Sequence, residues 1–503
     1  MFLVKKNLLI ILSFILIPIC SIPLVHLADN TCIIYSSDST PFSSSSSINL
    51  AFEAQDYIGL SPSLWDRNLT GKGVTVAVLD TGIQPNHDSF TYDGTQNWNE
   101  RIKVFYDESI ENTTSSPYDI QWHGTWAASI LGGNSSSYTG VAPGVEFVIM
   151  KLFYDDGSEM ITSSLILEKA VDWLLENKEI YDIKIVSMSF GVKPTPDNIN
   201  SLDQLNKIVS QLVDENILVV AAGGNDNDVS NEPTINAPAS AKSVLAVGGV
   251  DYDGEMYTLS SRGPTYEGVI KPDVCAPAVS VYGAYPSPSF NNYVYASGTS
   301  ASTPFVAGLA ALMIEKDPSL SALQIKNIIS LTSYRTIYPQ TISDNIQGWG
   351  ISQGYAALEA LDSPIIMTDN IQFNINLNEN YSVFCQPIIL HPNHYFFELD
   401  QLDAVPAEMY LFDSNPDSYG SPVLISHSIN GLSLLNPTKR MGAFVSNTHE
   451  YFLVVKSLEQ ESGDFILQLV IEYRNGILIV LAILNIVGIV YVLKIKKQIL
   501  RRS

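Results

Sequence analysis

Short β-branched runs alternate with helix-period segments from about Gly59 to Asp362. Five runs read as buried strands, at 74–79, 145–150, 183–187, 217–221 and 243–247, and apolar residues recur with helical spacing over 163–176 and 201–215. Strands and helices that alternate in this way predict a mostly parallel sheet with helices on both faces. Continuous apolar strands agree with that arrangement, because the helices cover both faces of the sheet. The sequence therefore predicts an α/β domain.

A Gly-Thr-Ser turn opens an apolar, Ala-rich segment, SGTSASTPFVAGLAALM at 297–313. Its Ala and Leu residues favour a helix, and Pro318 ends it. Ser300 then lies at the N-terminus of a buried helix, where free N–H groups and the helix dipole stabilise negative charge. Taken alone, Ser300 would be interpreted as an ordinary N-cap serine, so its chemistry depends on polar residues upstream.

Three polar residues upstream follow predicted strands or precede a helix. Asp80 follows the strand 74–79, at the end where parallel sheets carry functional groups, although an Asx-turn explains it about equally well. His123 precedes a small-residue helix; a lone histidine is more often structural, but here Gly124 leaves room for a substrate to approach. Asn225 follows the strand 217–221 and is either a turn residue or an amide that donates to an oxyanion.

Together, an acid, a histidine, an amide and a serine in one α/β domain form a set suited to hydrolysis. A serine hydroxyl is a weak nucleophile until a histidine removes its proton. The histidine in turn needs a carboxylate that fixes its tautomer and stabilises its charged form. The pattern therefore favours nucleophilic catalysis over four unrelated structural roles.

Ordered motifs then indicate a family. Four occur in chain order, VAVLDTGI at 76–83, HGTWAAS at 123–129, AAGGN at 221–225 and GTSASTP at 298–304, with further matches VAPG, SMSFG, SSRGP and KPDVCAP. On these motifs, residues 60–362 resemble the subtilisin-like serine peptidases, in which the triad residues occur in the order Asp, His, Ser. The resemblance implies the same α/β fold and a serine endopeptidase that hydrolyses proteins or peptides.

The resemblance also implies a role for each residue of the site. Asp80, His123 and Ser300 look like the triad, and Asn225 looks like the oxyanion-hole donor, joined by the backbone N–H of Ser300. An edge strand that pairs with an extended substrate peptide, an instance of β-strand addition, is implied for three residues, Ser189, Phe190 and Gly191.

Three residues depart from the family pattern without removing a catalytic group. Trp126 stands where a second histidine is common, Ala301 replaces the usual Met, and Gly223 stands where Ala is typical. We expect Trp126 and Ala301 to alter the packing behind the site. Many relatives also carry a folded pro-domain, whereas 29–59 is short and polar, so we expect this chain to fold without an internal chaperone.

Composition excludes some classes of function. The 503 residues suggest two or three domains. With 27 Lys and Arg against 52 Asp and Glu, the net charge of −25 argues against nucleic acid as a partner. The chemistry requires no cofactor. Structural calcium stays open, because the acidic loops 155–156 and 251–253 show no recognisable ligand ladder, so the metal content is unknown.

The ends of the chain predict export and a membrane anchor. Residues 1–28 resemble a signal peptide or an N-terminal anchor, and 29–59 read as a flexible segment. Residues 363–473 have the alternating pattern of a β-sandwich and weakly resemble pre-peptidase C-terminal modules. A transmembrane helix is predicted over 474–496, around the apolar run 476–493, and the basic tail 497–503 places the C-terminus in the cytoplasm.

These features favour a membrane-anchored, single-pass, extracytoplasmic serine endopeptidase at the cell membrane. In this reading the β-sandwich is a stalk, and substrate or surface binding by it is the less favoured alternative. A different class of function is a surface-binding protein on a catalytically decayed peptidase scaffold. Loss of a triad residue would favour that alternative, and the sequence retains all three.

Overall fold

The computed structural model describes most of the chain between residues 24 and 472. The described residues are 24–28, 31–35, 55, 57–60, 69–92, 94–155, 160–227, 233–287, 292–336, 342–367, 371–377, 382–401, 407–428, 438–457 and 463–472.

An eight-stranded sheet forms the centre of the N-terminal part. Its strands, in chain order, are β3 (Thr75–Asp80), β4 (Ile102–Asp107), β5 (Asn112–Thr113), β6 (Glu146–Lys151), β9 (Ile183–Met188), β10 (Leu218–Ala222), β11 (Leu245–Val250) and β12 (Val274–Pro277). Their spatial order is β12-β11-β10-β9-β3-β6-β4-β5, and every neighbouring pair is parallel except β4 with β5. The sheet is therefore mostly parallel, as predicted.

Seven α-helices accompany the sheets in the described ranges. They are α1 (Asp88–Thr91), α2 (His123–Gly132), α3 (Ser164–Tyr181), α4 (Ile199–Asp214), α5 (Thr299–Lys316), α6 (Ala322–Leu331) and α7 (Gly354–Glu359). Helices α2 and α5 pack against each other and α5 covers β9 to β12, while α3 and α4 form a second pair on β9 and β10. Two short 3-10 helices lie at Trp98–Glu100 and Glu108–Ile110.

The predicted strands and helices exist, with shifted boundaries. Strands β3, β6, β9 and β10 begin or end one residue from the prediction, whereas β11 starts and ends later than 243–247. The helix predicted over 163–176 continues to Tyr181, because its last turn is polar and carries no stop signal before Asp182, which has a left-handed φ of +51°. The α/β prediction for this part of the chain is confirmed.

Residues near the N-terminus differ from the flexible segment predicted over 29–59. Strands β1 (Leu24–Ala28) and β2 (Thr31–Tyr35) pair as an antiparallel hairpin that crosses the boundary drawn at residue 28. The reason is local: the residues flanking Asp29-Asn30 are rich in β-branched and apolar types that favour strands. Further along, Ile58 and Leu60 are buried, so the packed domain begins before residue 60.

Three small antiparallel hairpins in total stand apart from the large sheets. Besides the N-terminal hairpin, β7 (Tyr154–Asp155) pairs with β8 (Met160–Ile161), and β13 (Val281–Tyr285) pairs with β14 (Asn292–Ala296). Strand β13 contacts α2, so the β13–β14 hairpin lies beside the helix that begins at His123.

Two sheets make up the β-rich C-terminal region. The five-stranded sheet has the order β15-β17-β22-β19-β20, and the four-stranded sheet has the order β16-β23-β18-β21. Their bounds are β15 (Ile365–Ile366), β16 (Ile371–Leu377), β17 (Val383–Leu390), β18 (Asn393–Gln401), β19 (Ala407–Asp413), β20 (Leu424–His427), β21 (Thr438–Val445), β22 (His449–Ser457) and β23 (Gly463–Glu472). Side chains of both sheets share one hydrophobic cluster.

The five-stranded sheet is buried on both faces. Met409 and Leu411 of β19 belong to the cluster between the two sheets, whereas Tyr410 and Phe412 belong to the core of the N-terminal part. Successive residues of a strand point to opposite faces, so one strand serves two cores. The rings of Phe412 and Trp349 lie 6.1 Å apart at this junction. The C-terminal region is therefore packed onto the α/β part.

Predictions for both chain ends fall largely outside the described residues. No helix in the described ranges is long and apolar enough to cross a membrane. The predicted transmembrane segment 474–496, the basic tail 497–503 and most of the predicted signal peptide are not among those ranges, and they stay predictions. Cys275 and Cys385 are buried free thiols, so these two do not form a disulfide.

A buried lysine at the junction gives a pH-dependent prediction. Lys456 donates from Nζ to the carbonyl oxygen of Ser333 at 2.6 Å. Burial lowers the pKa of Lys456 to about 7, and the nearby Arg335 guanidinium acts in the same direction. Above pH 7 the unfolded chain then binds more protons at this residue than the folded chain does, so the residue makes the free energy of unfolding rise between about pH 7 and 10.

Replacing Lys456→Met should remove that contribution. We expect the slope of unfolding free energy against pH to fall by up to about 1.4 kcal/mol per pH unit, measured by denaturant unfolding at several pH values. Lys72 is exposed, so Lys72→Met is the matched surface control and should leave the slope unchanged. An unaltered slope in Lys456→Met would contradict the prediction.

Candidate active site

The strand order brings the carboxyl ends of three predicted site strands side by side. Strand β9 lies between β10 and β3, with Met188 opposite Leu79 on one side and Ala221 on the other. Asp80 ends β3, Ser189 follows β9, and Asn225 follows β10. Functional groups of open parallel sheets lie at this edge. The topology therefore collects residues that are far apart in the sequence.

Asp80 and His123 form a buried hydrogen-bonded pair. His123 Nδ1 lies 2.8 Å from Asp80 Oδ1 and 3.0 Å from Oδ2, and both side chains are almost inaccessible to solvent. A carboxylate oxygen accepts, so Nδ1 carries the proton and Nε2 is the basic atom of the neutral ring. The backbone N–H of Thr81 donates to Asp80 Oδ1 at 2.7 Å, which fixes the carboxylate.

Close backbone packing sets the position of His123. A Cβ on Gly124 would lie 2.2 Å from the carbonyl oxygen of Gly82, and a Cβ on Gly82 would lie 2.1 Å from that of Tyr118. The expectation that Gly124 leaves room for a substrate is therefore wrong, because the backbone of Gly82 occupies that space. The glycines let the start of α2 approach the end of β3.

Ser300 lies in the first turn of α5 and exchanges two hydrogen bonds with Ser189. Its Oγ donates to the carbonyl oxygen of Ser189 at 3.0 Å, and Ser189 Oγ donates to the carbonyl oxygen of Ser300 at 3.0 Å. Pro304 explains the second bond, because it has no N–H for the carbonyl four residues earlier. The Ser189 hydroxyl thus satisfies a buried carbonyl that the helix leaves without its usual donor.

Asn225 is oriented by the residue before Ser300. Its Oδ1 accepts from the backbone N–H of Thr299 at 2.9 Å and from Thr299 Oγ1 at 3.1 Å. Since a backbone N–H only donates, the oxygen of the amide must face Thr299, and the Nδ2 donors lie on the other side. Gly224 has φ +117°, and a Cβ there would lie 2.5 Å from Ser261 Oγ. Only glycine fits this turn.

The turn also presents a backbone donor. Among the described residues, the N–H of Thr299 is used by Asn225 and that of Ala301 by the carbonyl of Gly298 at 2.9 Å. The N–H of Ser300 lies between them in the first turn of α5, where helix N–H groups have no intrahelical acceptor. An amide side chain and a backbone N–H of this kind are the donors of an oxyanion hole.

The three residues predicted to bind substrate run beyond the end of β9, which is an interior strand of the sheet. Ser189 contacts Ser300 as described above. The Phe190 ring is buried, and its centroid lies 5.5 Å from that of Phe153 in an edge-to-face arrangement. Phe190 is therefore part of the hydrophobic core. Gly191 lies against Asn236, where a Cβ would be 2.8 Å from the Asn236 Cβ. The substrate-binding role of this segment stays a prediction that concerns its backbone.

Trp126 fills the space behind His123. Its indole is fully buried, and its ring centroid lies 5.8 Å from that of His123. Gly283 of β13 makes room for it, since a Cβ there would lie 2.4 Å from the indole. Ala301 is also fully buried. The sequence predicted altered packing behind the site. It did not predict that Gly283 on the β13–β14 hairpin would contact Trp126.

Asp119 is a half-buried acid beside the site that the sequence analysis missed. Its Oδ1 accepts from Thr81 Oγ1 at 2.9 Å and from the backbone N–H of Gln121 at 3.0 Å, and its Oδ2 accepts from the backbone N–H and Oγ1 of Thr125 at 2.9 and 2.6 Å. Burial raises its pKa, against the opposing effect of these hydrogen bonds. Asp119 therefore joins the residue after Asp80 to the helix that carries His123.

The variant Asp119→Asn should weaken that connection. An amide nitrogen would face a donor on Thr125 or Thr81, so we expect unfolding free energy to fall by about 1–3 kcal/mol. Because the link orients His123, kcat should fall while KM changes little. The control is Asp251→Asn, since Asp251 Oδ1 accepts two backbone N–H bonds in an exposed turn and an amide oxygen can replace it. A folded Asp119→Asn enzyme with unchanged kcat would refute the positioning role.

The loops considered for calcium give no ligand cluster. Within the described ranges, no group of three or more His, Cys, Asp or Glu side chains could hold a metal ion. Asp251 accepts hydrogen bonds from its own loop, and Asp155 is exposed on a short strand.

Comparisons with known proteins agree with the motifs. The subtilase family profile matches residues 71–350. Subtilisin DY of Bacillus licheniformis is 34% identical over 265 residues, covering 52% of this chain and 84% of that protein. Subtilisin BL of Lederbergia lenta is 31% identical over 299 residues, covering 59% of this chain and 95% of that protein. A solved cold adapted subtilisin-like serine proteinase aligns with a TM-score of 0.43 and 27% identity, over 56% of this chain and 89% of that one. The chain belongs to the subtilase family and is a subtilisin-like serine endopeptidase.

Proposed function

We propose that Asp80, His123 and Ser300 are the catalytic triad of this endopeptidase. Ser300 Oγ bonds to the substrate carbonyl carbon while His123 Nε2 takes the hydroxyl proton. The tetrahedral intermediate collapses as the C–N bond breaks, and His123 gives its proton to the leaving amine. Water then attacks the acyl-enzyme by the same route, and the acid product leaves.

In this proposal Asn225 Nδ2 and the backbone N–H of Ser300 stabilise the oxyanion. Ser300 is in the first turn of α5 and the Asn225 side chain contacts that turn through Thr299, so the helix dipole adds to the effect. The observation that carries the proposal is the buried Asp80–His123 pair, in which Nδ1 is the proton donor. That arrangement leaves Nε2 as the base, which is what a serine nucleophile requires.

One change of geometry belongs to the proposed mechanism. The single hydroxyl proton of Ser300 points to the carbonyl of Ser189 in this structure. Transfer to His123 requires the hydroxyl to turn away from that carbonyl. The reciprocal bond from Ser189 Oγ to the Ser300 carbonyl remains intact during this turn, so the helix start stays in place.

We also propose that the enzyme is anchored in the cell membrane by a single helix over 474–496. The site then lies outside the cytoplasm and the tail 497–503 inside, following the basic residues of the tail. Residues 60–362 would be the catalytic domain and 363–473 a β-sandwich module. The sequence supports the anchor through the apolar run 476–493, which has the length of a membrane span.

Labelling with a fluorophosphonate probe tests the triad. We expect one covalent adduct, which fragmentation of the tryptic peptide assigns to Ser300 and not to Ser302. Ser302 is an internal control, because it lies in the same tryptic peptide. Its Oγ donates to the carbonyl oxygens of Ala276 and Pro277 and has no histidine to remove its proton. An adduct on another residue would refute the assignment, and a folded chain that takes no label would favour the decayed scaffold.

A further inference from the structure

The outer face of the four-stranded C-terminal sheet carries exposed aromatic rings at one end only. Phe444 of β21 is 61% exposed and Phe396 of β18 is 38% exposed. His394 pairs with Phe444 across the two strands, and their ring centroids lie 4.7 Å apart. Directly paired residues, and residues two apart on one strand, lie on the same face. These three residues are the aromatic patch.

Among the other described residues of that face most are polar, and Ile466 of β23, opposite Asn374, is half-buried. Glu398 and Arg440 form an ion pair at 2.9 Å, next along the strands from the patch. Strand β16 forms the opposite edge of this sheet from β21. Its residues Asn374 and Asn376 are exposed on the same outer face. Among the described side chains of this face, the large exposed apolar ones are therefore confined to one end, which marks an interaction surface and not a general property of the sheet.

That end is where the chain leaves the sheet towards the predicted membrane helix. Strand β23 ends at Glu472, which pairs with His394 of β18. The apolar run begins at Gly476, so the connection from Glu472 to it reaches at most about 14 Å. Phe444 lies two strands from Glu472, or about 10 Å away. An anchor of this length places the patch at the membrane surface.

We propose that the aromatic patch of His394, Phe396 and Phe444 docks into the interfacial layer of the membrane. This proposal rests on the proposed C-terminal anchor. Aromatic side chains are favoured at that depth, because their rings leave water while polar neighbours stay hydrated. Asp413 and Glu450 lie at the same end of the other sheet. The attraction is therefore apolar and should not require anionic lipid.

The membrane helix and the aromatic patch together fix the orientation of the protein relative to the membrane. A single membrane helix leaves an attached domain free to tilt, whereas a second contact about 10 Å away restricts the tilt. The five-stranded sheet is packed onto the α/β part through Phe412 and Trp349, so the restriction reaches the catalytic part. The patch would thus set the height and direction of the active site above the bilayer.

Depth-dependent quenching in vesicles tests the proposal. The full chain carrying Phe444→Cys is labelled with a polarity-sensitive fluorophore and reconstituted into phosphatidylcholine vesicles with brominated acyl chains. The matched control is Asn374→Cys, exposed on the same face opposite Ile466 and about 20 Å along the strand from Glu472. Both variants are made in a chain with Cys20→Ser and Cys32→Ser, and that chain, whose remaining Cys275 and Cys385 are buried, is the labelling blank.

We expect loss of fluorescence from the label at 444 and none from the label at 374. Flotation of the same vesicles after an alkaline wash reports the anchor separately. A chain that floats with an unquenched label at 444 overturns the patch while the anchor stands. A chain that does not float overturns both. If the fluorescence of the label at 444 changes with the amount of protein per vesicle and not with bromination of the lipid, a second copy of the chain covers the patch. This result also overturns the proposal.

Discussion

Replacing Ser300→Ala should lower kcat for peptide hydrolysis by about 10⁶-fold. This magnitude is the one known for subtilisin, a member of the same family, and is carried over from it. The physical reason is that the acyl-enzyme cannot form without the hydroxyl, so Asp80 and His123 then have no nucleophile to activate. Residual hydrolysis above the rate in water comes from the oxyanion donors and from substrate binding.

Ser302→Ala is the matched control for this loss. Ser302 is two residues further along α5, is equally buried, and donates to two backbone carbonyls. Its removal should cost about 1–3 kcal/mol of stability and leave kcat within a fewfold of the parent. The measurement is steady-state hydrolysis of a peptide substrate by each folded variant. Activity of Ser300→Ala close to that of the parent would exclude Ser300 as the nucleophile.

The sequence predicted most of the α/β sheet because its strands are buried on both faces and read as continuous apolar runs. It missed β4, β5 and β12 for different reasons. Strand β4 is interrupted by the exposed Lys103, β5 consists of two exposed residues, and β12 is four residues long and ends in Pro277. In the C-terminal region, β17 contains Pro387, which argues against a strand interior unless the neighbouring strand is short. Its neighbour β15 spans only two residues.

The sequence predicted those residues of the candidate site that lie in short motifs. Asp80, His123, Asn225 and Ser300 each sit in one. Asp119 has no such signal, because its role depends on Thr81, which lies 38 residues away in the sequence. The same limit applies to the pairing of Trp126 with Gly283. Contacts of this kind follow from the packing of separate elements and have no pattern along the chain.

Ending the chain at Asp362 should prevent the α/β part from accumulating as a folded enzyme. Six side chains of the C-terminal region are buried in the α/β core: Val383, Cys385, Tyr410, Phe412, Phe452 and Val454. Uncovering the surface they occupy costs on the order of 5 kcal/mol or more, which is comparable with the whole stability of a typical domain, about 5–15 kcal/mol. Soluble, active protein ending at Asp362 would refute the prediction and support an independent stalk.

Two neighbouring residues separate this effect from general damage to the C-terminal region. Phe412→Ala removes a ring from the junction with the α/β part, and Leu411→Ala removes a side chain from the core between the two sheets. Each should cost about 2–5 kcal/mol. In calorimetry, Leu411→Ala should unfold in one transition at lower temperature. Phe412→Ala should separate the unfolding of the C-terminal region from that of the α/β part, because only this variant weakens their shared core. Identical single transitions in both variants would show that the junction does not depend on Phe412.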